Sequence, residues 1–132
     1  GLADGNDKNN EVYNSIFKLS LDFFLVETNT PKSQNGNKKP RVFRLNRDEA
    51  IINSLGFPND GMNKVSERIL NNPKKSILGI NIGPNKENAD KEDDYLLCIK
   101  KLYQQADYIT VNITQVGSST AGANLYLVFS FS

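Results

Sequence analysis

The stretch Ser76-Ile77-Leu78-Gly79-Ile80-Asn81-Ile82-Gly83-Pro84-Asn85-Lys86 decides how this chain is read. It starts as a short apolar run, Ile77 to Ile82, β-branched at Ile77, Ile80 and Ile82, and it breaks on Gly83-Pro84. A run of this length closed by turn residues predicts a strand buried on both faces, the kind found in parallel sheets. Asn81 does not fit a purely structural strand, because it sets an amide just before the break. In α/β folds that C-terminal end is where ligands sit. Tyr108-Ile109-Thr110-Val111-Asn112-Ile113 repeats the design, with Asn112 near its end. A buried amide needs partners. Two amides at matching strand ends point either to one shared ligand or to neighbouring loop backbone that each satisfies.

Outward from this centre the chain alternates between strand and helix patterns. The opening Gly1-Leu2-Ala3-Asp4-Gly5-Asn6-Asp7-Lys8 is glycine-rich, so backbone can approach a ligand closely, and Lys8 can meet an anion. The competing reading is a frayed terminus. Asn9 or Asn10 caps a helix to about Leu19, with Val12, Ile16 and Leu19 on one face. Phe23 to Val26 reads as a second buried strand, ending in the polar Glu27-Thr28-Asn29-Thr30-Pro31. Pro31 to Pro40 is a polar loop turning at Asn35-Gly36-Asn37, and Arg41 to Leu45 alternates like an exposed hairpin arm. Asn46 and Glu49 resemble a capping box for a short helix from Arg47 to about Leu55, stopped by Gly56. Met62, Val65 and Ile69 give helical spacing up to Asn72-Pro73. After the central strand, a helix is expected from about Asp90 to Tyr103, acidic at its start and basic at Lys100-Lys101, as the helix dipole favours. Its inner stripe is Tyr95, Ile99 and Leu102, and those charge runs read as solvated faces. Residues 114–123 are small and polar, and Leu125 to Phe131 reads as an unpaired, aggregation-prone edge strand.

Alternation of this kind implies βαβ units on a parallel sheet. Roughly four strands fit into the chain, whereas a closed (β/α)8 barrel takes eight over about 250 residues. The expected fold class is therefore α/β, an incomplete TIM barrel of roughly the first four strands.

The totals narrow the chemistry. The chain has 132 residues, enough for one domain, with 16 basic and 15 acidic residues and a net charge of +1. That balance gives no electrostatic argument for nucleic acid or an anionic membrane. The absence of His excludes His-based acid–base chemistry and His metal sites, and no metal site is expected. The single cysteine, Cys98, falls on an apolar helix face and reads as a buried, inert thiol consistent with a reducing compartment. No apolar run is long enough to cross a bilayer, and no signal peptide is read at the start. Hydrophobic content is 38% without Trp, so the core is modest and is expected to need more chain or a partner to close. Asn112-Ile113-Thr114 fits the glycosylation pattern, but a buried strand end argues against its use.

Thr30 to Leu45, Ile52 to Phe57 with Asp60-Gly61, Gly79 to Lys86 and Ala106 to Ile113 together resemble class 2 dihydroorotate dehydrogenases, and Gly1 to Lys8 resembles that family's opening Gly-Leu-Ala-Ala-Gly-Phe-Asp-Lys. The resemblance covers residues 1–113, in family order and spacing. It implies a partial FMN-binding β/α barrel over 1–113 that oxidises dihydroorotate to orotate in pyrimidine synthesis. A base removes a proton from substrate carbon while hydride passes to the flavin, and a membrane quinone takes the electrons. By the resemblance, Gly5, Lys8, Thr28, Asn81 and Asn112 are flavin contacts, and Lys8, Asn53, Ser54, Leu55, Gly56, Phe57 and Asn112 are substrate contacts. It further implies peripheral association of the full-length parent with the cytoplasmic side of a membrane. With the family in view, the shared-ligand reading of Asn81 and Asn112 prevails.

Departures accompany the match. Asp4, Asn6 and Glu27 replace the family's Ala, Phe and Gly, and Ser20 and Asp22 replace two glycines. After Asn112-Ile113 the family continues Ser-Ser-Pro-Asn-Thr with the second Ser as base. Here Thr114-Gln115-Val116-Gly117 follows, and Gln115 at the base position cannot take a proton. Ser118 to Gly122 echoes the missing motif, but the tail 114–132 reads as unmatched sequence joined by a frameshift or a read error. The chain is accordingly expected to be a truncated, inactive copy, with a decayed non-catalytic binding or interaction module as the alternative.

Overall fold

A computed structural model of the chain describes residues 23–113 and 126–130. The expected opening glycine segment with Gly5 and Lys8, the helix to Leu19, and Gln115 lie outside the described residues.

The elements are β1 (Phe23–Asn29), β2 (Val42–Leu45), β3 (Ala50–Asn53), α1 (Met62–Asn71), β4 (Ile77–Ile82), α2 (Lys91–Leu102), β5 (Tyr108–Asn112) and β6 (Tyr126–Ser130). One sheet has the order β1-β4-β5-β6, and β2 and β3 form a separate hairpin. β4 pairs in parallel with both β1 and β5. Each parallel neighbour is reached through a helix, as a parallel pair requires. The central strand is buried from Leu78 to Ile82, as its continuous apolar run implies.

The strand alternation divides β4 between two environments. Leu78, Ile80 and Ile82 face the helices and pack with Val65 and Ile69 of α1 and Cys98 and Leu102 of α2. Tyr95 and Ile99 are only partly buried against this core, so the inner face of α2 centres on Cys98 and Leu102. Gly79 and Asn81 take the opposite face, beside Tyr108 and Thr110 of β5. A methyl group on Gly79 would stand 2.1 Å from Cζ of Tyr108, so the glycine makes room for that ring.

Helix ends follow local chemistry. Asp90 caps α2, its side chain accepting from the backbone N–H of Asp93 at 3.2 Å, with acidic residues in the first turn and Lys100 and Lys101 in the last. α1 starts after Gly61 (φ 88) with no side-chain cap, and Met62 N–H donates to the Thr30 carbonyl at 2.9 Å. Among the described residues no helix is long and apolar enough to cross a membrane.

Two expectations are overturned. The helix expected from Arg47 to Leu55 is instead the return arm of a hairpin: residues 46–49 turn, and Ala50–Asn53 pairs antiparallel with Val42–Leu45. The capping pattern Asn46/Glu49 loses to the β-branched pair Ile51-Ile52, which aligns with Arg44 and Phe43, and Glu49 adopts φ 49 to close the turn. The C-terminal run is an edge strand as expected, but it is not unpaired, because Tyr126–Ser130 lies antiparallel along β5 at the end of the sheet. Its ladder satisfies backbone groups on the free side of β5 and makes the sheet mixed.

The core assignment predicts a sharp contrast. Ile80→Ala should lower stability by about 2–5 kcal/mol, whereas Ile52→Ala on the exposed hairpin should stay within about 0.5 kcal/mol. Urea unfolding followed by circular dichroism measures both, and equal effects would contradict the placement of the core.

Candidate functional site

The parallel strands bring polar residues to neighbouring C-terminal ends. Asn81 is the penultimate residue of β4 and Asn112 the last of β5, and both are buried. Thr28 joins them through an irregularity. Up to Val26 the β1 residues align regularly with β4, but Asn29 aligns with Ile82, so β1 carries one extra residue between. Phe24 and Val26 pack in the helix-side core, and the extra residue breaks this alternation so that Thr28 comes level with Asn81. The Asn112 amide Nδ2 donates to Thr28 Oγ1 at 3.3 Å across the sheet. Asn29 Nδ2 donates to the Glu27 carbonyl at 2.7 Å, while its buried Oδ1 has no hydrogen-bond partner among the described residues.

Phe57 approaches the same strand ends from the hairpin side. A methyl group on Gly83 would lie 2.7 Å from Cγ2 of Thr28, so Gly83 is the small residue that lets Thr28 close in, while Phe57 Cε2 at 3.6 Å would be in ordinary contact with it. Phe57 holds φ 50 directly after Gly56 at φ 72. A left-handed backbone at a bulky residue costs about 1–2 kcal/mol and needs external support.

That support is a network of amides. Asn85, in the loop after β4, shares the two N–H donors of Nδ2 among Thr30 Oγ1, the Lys32 carbonyl and Gln34 Oε1 at 3.1, 2.9 and 3.0 Å. Its Oδ1 accepts from Lys32 N–H at 2.9 Å, and its own N–H donates to Asp94 Oδ2 at 2.8 Å. Asn59 donates to Thr30 Oγ1 and to the Phe57 carbonyl at 2.9 and 2.8 Å, and accepts from Gly61 N–H at 2.8 Å. The loops after β1, β3 and β4 are thereby locked together beside a polar cleft of about 650 Å³.

Of the residues proposed from sequence, Thr28, Asn81 and Asn112 thus share one end of the sheet, and Phe57 reaches the same end near Gly83. Gly56 packs against Asn37, and Leu55 accepts from Asn37 N–H at 2.9 Å. Asn53 and Ser54 are exposed at the open end of the hairpin; Asn53 pairs with Val42, and Ser54 N–H donates to the Arg41 carbonyl at 2.9 Å. The sequence reading passed over Gln34, Asn59 and Asn85, which hold the loops; a polar loop advertises amides but not which of them meet. It also passed over the link from α2 to the site: the half-buried Tyr95 hydroxyl donates to the Asn112 carbonyl at 2.6 Å. Burial, with the Asp94 charge second, raises the pKa of that phenol.

Cys98 is fully buried, and desolvation, aided by the Asp94 charge, pushes its thiol up from 9.0 to about 12. It is no nucleophile near neutrality. Thiol reagents at pH 8 should modify it only at the rate of unfolding, with full reaction in urea. The folded chain keeps this proton where the unfolded chain releases it, so its contribution to stability is complete below pH 9.0 and lost as pH rises towards about 12. Urea midpoints at pH 8 and pH 10.5 should fall in that order; a higher midpoint at the alkaline pH would contradict the buried neutral thiol.

Comparison with known proteins adds an independent finding. The family model for dihydroorotate dehydrogenase matches residues 1–122. A dihydroorotate dehydrogenase (quinone) of Bartonella tribocorum is 53% identical over 114 residues, covering 86% of this chain and 32% of that protein. A dihydroorotate dehydrogenase (quinone) of Idiomarina loihiensis is 47% identical over 116 residues, covering 86% and 35%. Among solved structures, ligand-free DHODH from Eimeria tenella matches with a TM-score of 0.78 at 40% identity, covering 86% of this chain and 34% of that one. DHODH from the same organism in complex with ferulenol gives 0.78 at 36% identity, covering 88% and 34%. The chain spans about a third of the length of the relatives it matches.

Proposed function

Because this chain belongs to the dihydroorotate dehydrogenase family, we propose that it carries the flavin-gripping strand ends of an incomplete (β/α)8 barrel. The activity proposed for the whole barrel is oxidation of dihydroorotate to orotate, with FMN bound at the site and a quinone as final acceptor. One observation carries the reading: Thr28, Asn81 and Asn112 stand buried at adjacent C-terminal strand ends, with Asn112 reaching Thr28 at 3.3 Å.

The donor set fits a flavin. Each amide offers both donors and acceptors, and a hydroxyl offers either, which suits the alternating groups on the edge of an isoalloxazine or pyrimidine ring. Gly83 lets Thr28 pack closely at these strand ends. When bound, FMN supplies the hydride acceptor. The protein's part is orientation: Asn81, Asn112 and Thr28 fix the ring edges, and Gly5 and Lys8 are assigned to the same cofactor by family position. Lys8 is further assigned to the orotate carboxylate, a charge-assisted pair, and residues 53–57 with Asn112 to the substrate ring.

No base is assigned. Gln115 holds the family's base position, and a carboxamide does not accept a carbon-bound proton, so the chain by itself is expected to bind and not to turn over. The same residue favours the second reading, a non-catalytic binding module. We place the barrel portion at 1–113 and a separate tail at 114–132, although the family match itself runs on to residue 122. The whole protein is placed peripherally on the cytoplasmic side of a membrane, where its quinone resides.

The test is fluorescence titration of FMN into the full chain. Binding should be saturable, and Asn112→Leu should weaken it by at least about tenfold, the loss of one good hydrogen-bonded partner. Addition of dihydroorotate and a quinone analogue should give no orotate. Absent flavin binding, or equal affinity in the Leu variant, would overturn the assignment of the strand ends.

A further inference from the structure

The geometry points to Gln34 as a positioning residue that holds Phe57 in place for substrate, a role that rests on the assignment of residues 53–57 to the substrate ring. A glutamine side chain has two donors and one oxygen with two acceptor positions. Gln34 uses all of them across two loops. Its Nε2 donates to the carbonyls of Gly56 and Phe57 at 3.0 and 3.2 Å. Its Oε1 accepts from Asn85 Nδ2 and from Lys86 N–H at 3.0 and 3.1 Å. Its backbone is fixed as well, exchanging both hydrogen bonds with Asn59 at 3.0 Å.

The two carbonyls that Gln34 grips belong to the two consecutive residues with positive φ, Gly56 at 72 and Phe57 at 50. A phenylalanine does not hold that conformation unaided. The forked N–H group joins those carbonyls to the loop after β4, and this sets the ring of Phe57 near Gly83. Gln34 makes no hydrogen bond to Thr28, Asn81 or Asn112, so its direct hold is on the substrate-side loop and not on the flavin contacts. Its role is therefore to set the loop's affinity for the substrate ring while leaving the flavin grip alone.

Gln34→Glu tests this in the full chain, because the replacement keeps shape and acceptors but removes both donors and sets a carboxylate against two carbonyl oxygens. Orotate affinity, measured by calorimetry with FMN present, should fall about tenfold or more. FMN affinity should stay within about twofold, a split that general loosening of the fold would not produce. Hydrogen exchange should quicken at residues 54–57 and stay unchanged at 77–82. Gln34→Met, neutral and of similar length, should give the same pattern and replaces the Glu variant if that one unfolds. Unchanged orotate affinity, or equal losses for both ligands, overturns the positioning role. Wild-type chain that binds FMN but no orotate overturns the substrate assignment and this role with it. In that case the exchange data still decide whether Gln34 orders the loop.

Discussion

The structure depends on the double pairing of β4. Parallel ladders run along both edges of this strand from Gly79 to Ile82, and burial on both faces from Leu78 onward leaves its side chains no neutral ground. One face must be apolar and closely packed, and it is, with Leu78, Ile80 and Ile82 against the two helices. The other must be either small or hydrogen-bonded, and it carries Gly79 and Asn81. A strand so constrained cannot shift register by one residue without exchanging core for amide. The position of Asn81 is therefore set by the hydrophobic side of the same strand, and a site built at its end inherits the rigidity of the core.

β1 meets the same demand by a different route. Regular alternation would have sent Thr28 towards the helices after Phe24 and Val26. The extra residue before Asn29 redirects it, and the hydrogen bond from Asn112 fixes the outcome. A local fault in pairing is thus what completes the polar trio. The loops are stabilised by a second mechanism, amide-to-carbonyl links between segments more than twenty residues apart, such as Gln34 to Gly56 and Asn85 to Lys32. These bonds substitute for a hydrophobic core in a region where Asn53 and Ser54 remain exposed.

The parts legible in the sequence were those with a strong period or a cap. The run at Ile77–Ile82 and its copy at Tyr108–Asn112 announced their strands, and Asp90 with the acidic turn after it announced α2. Asn81 and Asn112 were visible as strand-end amides because position along a strand is readable from its own residues. Thr28's orientation was not, since a bulge is a property of two strands together. The helix expected after Asn46 failed for a similar reason: a capping pattern is local, whereas Ile51 and Ile52 were committed by Arg44 and Phe43 across the turn. The aromatic run of the tail was legible as an edge strand, but its pairing with β5 was not, because a partner strand leaves no mark in the run itself. Gln34, Asn59 and Asn85 left no signature, because a polar loop does not encode which of its amides will meet.

The antiparallel seating of β6 has a topological consequence. A strand has one set of outward hydrogen-bonding groups, and along β5 the ladder to Tyr126–Ser130 occupies it. Any further parallel strand that would carry the sheet round into a ring must claim that same side. Occupancy by β6 and a parallel neighbour directly on β5 are thus mutually exclusive, and displacement of these five residues is the step that would return the edge of β5 to a parallel partner.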